Sequence, residues 1–296
     1  MIYYFDLHKT KVFGPMFKDS GIVQKNTFRN VFSVYALRSR FMGKMPSFFF
    51  YPQPVLKGND DKIIVFDTYS NSSLIKWLCE TRPDNRVILW YWNSVKASGL
   101  KDHIPNRVET WSFSKSDCAK YGFRYNTQFF FDCLVQEAEE CRARGISTHP
   151  KAFFFGREKG RTGILEFLKD NLEKEGVKVD LIIAQPFSGR AGFYREELLP
   201  YSKVVDLVKE ADILLDYTNI PETGLSLRAM EALFFGKKLI TNNLEILESD
   251  FYRPANIYVL DHDERSFREF IDCPVEPVDP AIRDNYLLSN WLKRFD

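Results

Sequence analysis

From Lys62 onward, short continuous apolar runs alternate with segments of helical period. Ile63-Ile64-Val65-Phe66 is one such run, and it ends at Asp67. A helix through Leu74, Ile75, Trp77 and Leu78 follows and stops near Pro83-Asp84-Asn85. Val87 to Trp92 predicts the next strand, ending in Asn93-Ser94. Val108-Glu109-Thr110-Trp111 predicts another, before a helix capped by Ser114 or Ser116. Apolar runs of this kind are strands buried on both faces, and their alternation with helices predicts a parallel sheet. Before Lys62 the pattern is weaker, and only Thr27 to Met42 predicts a helix, with Phe28, Val31, Phe32, Tyr35 and Leu37 on its apolar side.

The same scheme returns in the second half. Residues 134–144 read as a helix, and Gly145-Ile146-Ser147-Thr148-His149-Pro150 breaks the chain. Strand 152–155, helix 162–174, strand 179–184 and helix 202–209 follow. Strand 212–216, helix 226–235, strand 238–241 and strand 257–260 come next, and Asp263 or Ser266 starts a further short helix. Residues 280–294 predict a last amphipathic helix that buries Ile282, Tyr286, Leu287, Leu288, Trp291 and Leu292. The expectation is an α/β protein of two Rossmann-like domains in tandem, residues 1–148 and 149–279. A C-terminal helix over 280–296 is placed to pack back on the first domain, and the site is expected in the cleft between domains.

The chain has 296 residues, 45% of them apolar, with 27 Phe, 14 Tyr and 5 Trp, which supplies a core and excludes a disordered protein. Its net charge of +1 conceals an asymmetry. Residues 1–150 carry 21 Lys/Arg against 14 Asp/Glu, whereas the remainder carries 20 against 26. That basic first half is either a solvated face or a surface for an anionic partner, such as lipid headgroups or a phosphorylated acceptor. Peripheral contact with a membrane would come from there. The aromatic run Phe48-Phe49-Phe50-Tyr51, near Arg38, Arg40 and Lys44, is read as a buried strand before it is read as a membrane contact. Five cysteines without C-x-x-C spacing read as reduced structural thiols of a cytoplasmic protein. Neither a signal-peptide core nor an apolar run near the ~20 residues of a bilayer span is present, so a soluble or peripheral protein is expected.

Two segments carry the chemistry. In Phe153-Phe154-Phe155-Gly156-Arg157-Glu158-Lys159-Gly160-Arg161 a strand runs into a glycine turn, and three bases crowd the start of the next helix. Positive charge is unfavourable at a helix N-terminus unless an anion sits there, so the segment reads as a phosphate site or as a solvated basic turn. In the second, the strand Asp212 to Tyr217 leads through Thr223-Gly224-Leu225-Ser226 into a helix whose first N–H groups are unbonded. Ser226 either caps that helix or bonds a phosphate oxygen. Glu231, farther along it, has the chemistry to accept two hydrogen bonds from a ribose diol. About 65 residues apart in one α/β domain, the segments suggest two walls of one nucleotide-diphosphate site.

These residues resemble a family pattern. The C-terminal half looks like the donor domain of a GT-B glycosyltransferase, particularly the large retaining group. That group shows Gly-Arg, a few residues, then Lys-Gly; later Glu-Gly-Phe-Gly-Leu, three residues, Glu-Ala; then Gly-x-Pro-Val-Ile. Gly156-Arg157-Glu158-Lys159-Gly160 is a shortened form of the first. Thr223 to Ala232 aligns with the second, and Gly236-Lys237-Lys238-Leu239-Ile240 with the third, over roughly residues 151–262. The resemblance implies a nucleotide-diphosphate sugar as donor substrate, with no separate cofactor. It places Arg157 and Lys159 on the diphosphate, with Gly156, Gly160, Arg161 and Tyr217 around it, N–H groups from Gly224 to Ser226 completing the phosphate site, and Glu231 on the ribose. Thr223 stands where the family has the first Glu of its pair, which leaves the donor sugar and the stereochemistry open. The short chain and its Ser-Leu-Arg-x-x-Glu-Ala-Leu form also resemble bacterial surface-polysaccharide enzymes (capsule, O-antigen or lipopolysaccharide), whose acceptors are glycans or lipid-linked glycans.

An inverting transfer also needs a base for the acceptor hydroxyl. Asp67, at the end of a strand and near Asn93 by topology, is the candidate, with helix capping as its alternative role. No metal is expected, since bases supply the charge. Asp261-His262-Asp263 reads as a loop and cap, and His8, His103 and His149 lack partners at ligand spacing. No nucleic-acid partner is expected. Two other readings keep the fold: transfer of a pyruvyl or phosphoryl group to a glycan, and a non-catalytic nucleotide- or sugar-binding module.

Overall fold

The computed structural model describes residues 2–6, 13–17, 20–26, 61–67, 72–184, 199–218 and 224–296. The helix expected over Thr27 to Met42, the run Phe48 to Tyr51, and Thr223 lie outside the described residues. The chain divides into two compact units, Met1–Asn126 and Thr127–Asp296.

In the first unit the strands are β1 (Ile2–Asp6), β2 (Ile22–Asn26), β3 (Lys62–Phe66), β4 (Arg86–Tyr91), β5 (Glu109–Ser112) and β6 (Arg124–Tyr125). They pair in the order β2-β1-β3-β4-β5-β6, and every pairing is parallel. The helices α1 (Ser72–Thr81), α2 (Val95–Ser98) and α3 (Lys115–Tyr121) lie among these strands in sequence. Ile63, Val65, Leu74, Trp77, Leu78 and Leu89 form one continuous core, as the uninterrupted apolar runs require. Ser114 caps α3, its Oγ accepting from the Asp117 N–H at 3.0 Å, and Gly122 ends the helix at φ 70°. Strands β1 and β2 fall in the stretch whose sequence pattern is weak, and parallel pairing on β3 supplies their order.

In the second unit the strands are β7 (Lys151–Arg157), β8 (Lys178–Ala184), β9 (Ile213–Asp216), β10 (Lys238–Thr241) and β11 (Ile257–Val259). Their order is β11-β10-β9-β7-β8, again parallel throughout. Helices α4 (Val135–Arg142), α5 (Thr162–Lys174), α6 (Tyr201–Glu210), α7 (Leu227–Phe235), α8 (Phe267–Asp272), α9 (Pro280–Asp284) and α10 (Leu288–Lys293) complete it. Both sheets therefore follow one doubly-wound plan, in which the first strand lies between the second and the third. The order reverses between β1 and β3 in one unit and between β7 and β9 in the other. Ligands of such sheets bind beyond the carboxyl ends of the strands at that reversal. The α/β class and the two parallel sheets agree with the sequence pattern.

Two expectations differ from the structure. The division falls at Asn126/Thr127, whereas the breaker at Gly145 to Pro150 had suggested 148/149. Packing decides it: Phe130 stacks on Phe234 of α7 at 4.1 Å, and Arg142 of α4 donates to the Phe234 carbonyl at 2.6 Å. The last helix is two helices. Phe130 donates to the Tyr286 carbonyl at 2.7 Å and accepts from the Leu288 N–H at 2.8 Å, so Leu287 is drawn into an extended bridge. Trp291 of α10, fully buried, donates its indole N–H to the Thr127 carbonyl at 2.9 Å. The C-terminal helices thus pack on residues 127–132, within the second unit.

Strand β10 opens on Lys238, which is 1% exposed. Its Nζ donates to the carbonyls of Ala255 and Phe270, each at 2.7 Å, and lies 4.4 Å from the Phe270 ring centre. Burial still pulls its pKa down to about 8. Between that value and the ordinary lysine value of 10.5 the unfolded chain holds more protons than the native one. Stability from this group therefore rises with pH across that window, by at most about 3 kcal/mol. Equilibrium unfolding at a series of pH values checks this: Lys238→Met should lack the rise, and parallel wild-type and variant profiles would contradict it.

Candidate functional site

Strand β7 ends in Gly156 and Arg157, and the turn that follows is held from within. The Arg161 N–H donates to the Glu158 carbonyl at 3.0 Å, with Lys159 at φ 44° and Gly160 at φ 74°. A left-handed Lys159 costs roughly 1–2 kcal/mol, which the Glu158 side chain offsets. Its carboxylate accepts from the Gly160 N–H at 2.8 Å and from the Thr162 hydroxyl at 2.9 Å, and the first of these chiefly holds its pKa below the usual range. Arg157, Lys159 and Gly160 are exposed on this fixed turn.

Arg161 behaves differently. Its guanidinium lies 4.7 Å from the Phe154 ring centre, donates through Nε to the Arg157 carbonyl at 2.8 Å, and donates through Nη1 to the Tyr217 carbonyl. A Cβ on residue 156 would lie 2.3 Å from Arg161 Nη2. Gly156 thus leaves room for the guanidinium that crosses above it.

The second segment begins where β9 ends. Ser226 Oγ caps α7 by accepting from the Ala229 N–H at 3.1 Å, and donates its own proton to Asp216 Oδ2 at 2.6 Å. The hydroxyl is a cap tied to a carboxylate. Asn243 donates to the Gly224 carbonyl at 2.7 Å, fixing that residue at φ 105°, and Gln128 donates to the Leu225 carbonyl at 3.4 Å. Burial raises the Asp216 pKa, and the Ser226 bond and the charges of Arg228 and Arg161 oppose it. The two sequence segments therefore meet through Arg161, Tyr217, Asp216 and Ser226, on the adjacent strands β7 and β9 at the reversal of the sheet. Tyr217 takes part through its backbone carbonyl. The first-turn N–H groups of Leu227 and Arg228 have no intrahelical acceptor, as at any helix start.

Glu231 is 1% exposed. Its Oε1 accepts from the Tyr201 hydroxyl at 2.7 Å, and its Oε2 accepts from Arg228. Arg228 in turn lies 5.5 Å from the Phe153 ring centre. Burial raises the Glu231 pKa, and the same burial, with the Glu231 charge, raises that of Tyr201. Both carboxylate oxygens are thus engaged below the surface. Sequence reasoning passed over Asp216, Arg228 and Tyr201. The i, i+3 spacing of Arg228 and Glu231 was the available signal for the ion pair; nothing local marks Tyr201.

In the first unit, Asp67 follows β3 at the reversal between β1 and β3. Its Oδ1 accepts from the Trp92 N–H at 2.8 Å and its Oδ2 from Asn93 Nδ2 at 3.2 Å, so the two residues do come together. Asp67 is 1% exposed, and burial raises its pKa. These bonds clamp the loop after β4. Among the described residues no three His, Cys, Asp or Glu side chains are grouped to hold a metal ion. Asp263 accepts from Arg265, and Asp261 turns the chain at φ 60°. Ser266 and Glu269 form the capping box of α8. No described helix is long and apolar enough to cross a membrane.

No protein-family model and no curated protein matches the sequence. Among solved structures, the catalytic domain of starch synthase IV from Arabidopsis thaliana, bound to ADP and acarbose, is similar at a TM-score of 0.40 and 11% identity, over 79% of this chain and 67% of that one. An α-glucosyltransferase in complex with UDP and a 13-mer DNA containing a central A:G mismatch is similar at 0.46 and 13% identity, over 99% of this chain and 94% of that one. An acyl-CoA transferase from E. coli O157:H7 follows at 0.18 and 13% identity, over 73% and 51%. Likenesses of this size fix neither activity nor substrate, and the functional reading rests on the residues themselves.

The buried pair gives a measurable expectation. Glu231→Ala leaves the Arg228 guanidinium without its partner and should cost about 3–5 kcal/mol in denaturant unfolding. Replacing both, as Glu231→Gln with Arg228→Met, should cost markedly less. Equal losses in the two variants would show that the pair is not what holds α7.

Proposed function

We propose that this chain is a GT-B-type glycosyltransferase that takes a sugar from a nucleotide-diphosphate sugar. The observation that carries the reading is the meeting of the two motif segments at the β7/β9 reversal, where an open α/β sheet takes its ligand. In this reading the donor diphosphate lies between the exposed bases of the 157–161 turn and the start of α7. Glycosyl transfer leaves negative charge on the departing diphosphate as positive charge develops on the sugar. Arg157, Lys159 and the N–H groups from Gly224 to Ser226 would stabilise that leaving group, and no metal is needed for the charge. Arg161 is assigned to joining the walls, because the Arg157 and Tyr217 carbonyls already engage it.

Glu231 is not assigned to the ribose: its burial and its bonds to Tyr201 and Arg228 give it the role of holding α7. Asp67 is likewise assigned to its loop, and no residue is assigned as acceptor base. The acceptor we infer is a glycan or lipid-linked glycan of a bacterial surface polysaccharide, a reading that rests on the resemblance of the Ser226 to Leu233 segment.

Calorimetric titration with UDP, GDP and ADP, followed by hydrolysis assays with the matching nucleotide sugars, tests the proposal. One nucleoside diphosphate should bind, and Arg157→Ala and Lys159→Ala should each weaken it about tenfold, the effect of one charge-assisted bond. Both side chains are exposed, and a thermal melt of each variant checks that it is folded. Slow release of sugar without acceptor should accompany binding. A folded protein that binds no nucleoside diphosphate at millimolar concentration would refute the reading, and binding without hydrolysis would mark a sensor module.

A further inference from the structure

Within the second unit, residues of α7 and the chain beyond its C-terminus line a partly open cavity of about 540 Å³, in the range of small-molecule pockets. Ala229, Ala232 and Leu233 of α7 line it on one side. Phe251, Ile257 and Val275 line it elsewhere. The segment from Cys273 to Val278 forms part of its wall and is fastened to the sheet by a two-bond clamp. Asn256 Nδ2 donates to the Glu276 carbonyl, and Asn256 Oδ1 accepts from the Glu276 N–H, each at 2.7 Å. The cavity is therefore a walled space held by ordered backbone.

Its charges are unbalanced. Arg142, Lys237 and Arg283 all line it; Lys237 donates to the Lys209 carbonyl at 3.3 Å, and the charge of Arg283 adds to burial in lowering the Arg142 pKa. The two acids in its lining are engaged elsewhere: Asp272 with Arg268 at 2.7 Å, and Glu276 with Arg253 at 3.2 Å. Arg142 donates to the Phe234 carbonyl, and its nearest carboxylate, Glu139, is 3.8 Å away with its side chain 63% exposed. Arg283 donates to the Val278 carbonyl and has no carboxylate within ion-pair distance among the described residues. A guanidinium has five N–H donors, so each keeps several for a ligand. Gly236 leaves the space that the Arg142 stem fills, since a Cβ there would lie 2.6 Å from Arg142 Cγ.

We propose that this cavity is a binding site for an amphipathic anion, a carboxylate or phosphate monoester held by Arg142 and Arg283 with its apolar body against the α7 wall. Neither half of such a ligand suffices alone. A free phosphate leaves the apolar wall wet, and a neutral chain leaves two like charges facing each other. The site uses none of the residues assigned to the donor, so it stands or falls apart from the proposed transfer.

Calorimetric titration of the full chain with octanoate, octyl phosphate, octanol and inorganic phosphate tests this. One molecule of octanoate or octyl phosphate should bind per chain, with octanol and inorganic phosphate weaker by about tenfold or more. Arg283→Gln should weaken the amphiphile by a similar factor and leave nucleotide binding unchanged. Ala232→Leu, which narrows the cavity with both arginines intact, should weaken it as well and serves if Arg283→Gln does not fold. No amphiphile binding, unaltered binding in the variants, or inorganic phosphate binding as tightly as octyl phosphate would each overturn the proposal.

Discussion

The Arg161 guanidinium spans the point where the second sheet reverses its order, and the candidate site is organised around that span. One edge is held by the Arg157 carbonyl at the end of β7, another by the Tyr217 carbonyl beyond β9, and its face lies on the Phe154 ring. Its charge faces Asp216, whose carboxylate accepts from the Ser226 hydroxyl that caps α7. A single cation thereby fixes the turn after one strand against the helix start after its neighbour. Remove it, and Asp216 loses a nearby positive charge and two loops lose their common tie. The requirement reaches back to residue 156, where any side chain would collide with the crossing guanidinium.

That arrangement separates the bases into two kinds. Arg161 is spent on the Arg157 and Tyr217 carbonyls, and Arg228 on the buried acid Glu231. Arg157 and Lys159 stand exposed on a turn that Glu158 and Thr162 hold rigid. Only the second kind can meet an anion without dismantling the fold, because an unpaired buried charge costs several kcal/mol. Charge near this turn is thus not one pool: part of it is committed to holding the structure.

Much of the architecture was legible because it rests on local pattern. The apolar runs at Ile63, Val87, Phe153 and Ile213 could only be strands buried on both faces, and the helices between them made the sheets parallel. Helix α5 and strand β10 fall at the residues their periodicity indicates. What escaped depends on partners distant in sequence. Phe130 reaches across more than a hundred and fifty residues to break the last helix at Leu287, and it draws residues 127–148 into the second unit. The same holds at the site. The turn, its glycines and the Ser226 cap were readable from neighbours along the chain. The engagement of Glu231 by Tyr201, thirty residues away, was not.

The proposed nucleotide-diphosphate site joins the 157–161 turn to the start of α7. Backbone amide shifts on titration with UDP and GDP test it most directly, since they report position without requiring turnover. Concerted shifts are expected at Arg157 to Arg161 and at Gly224 to Arg228, saturating together at one ligand per chain. Shifts confined to one segment, or centred elsewhere in the second unit, would contradict it.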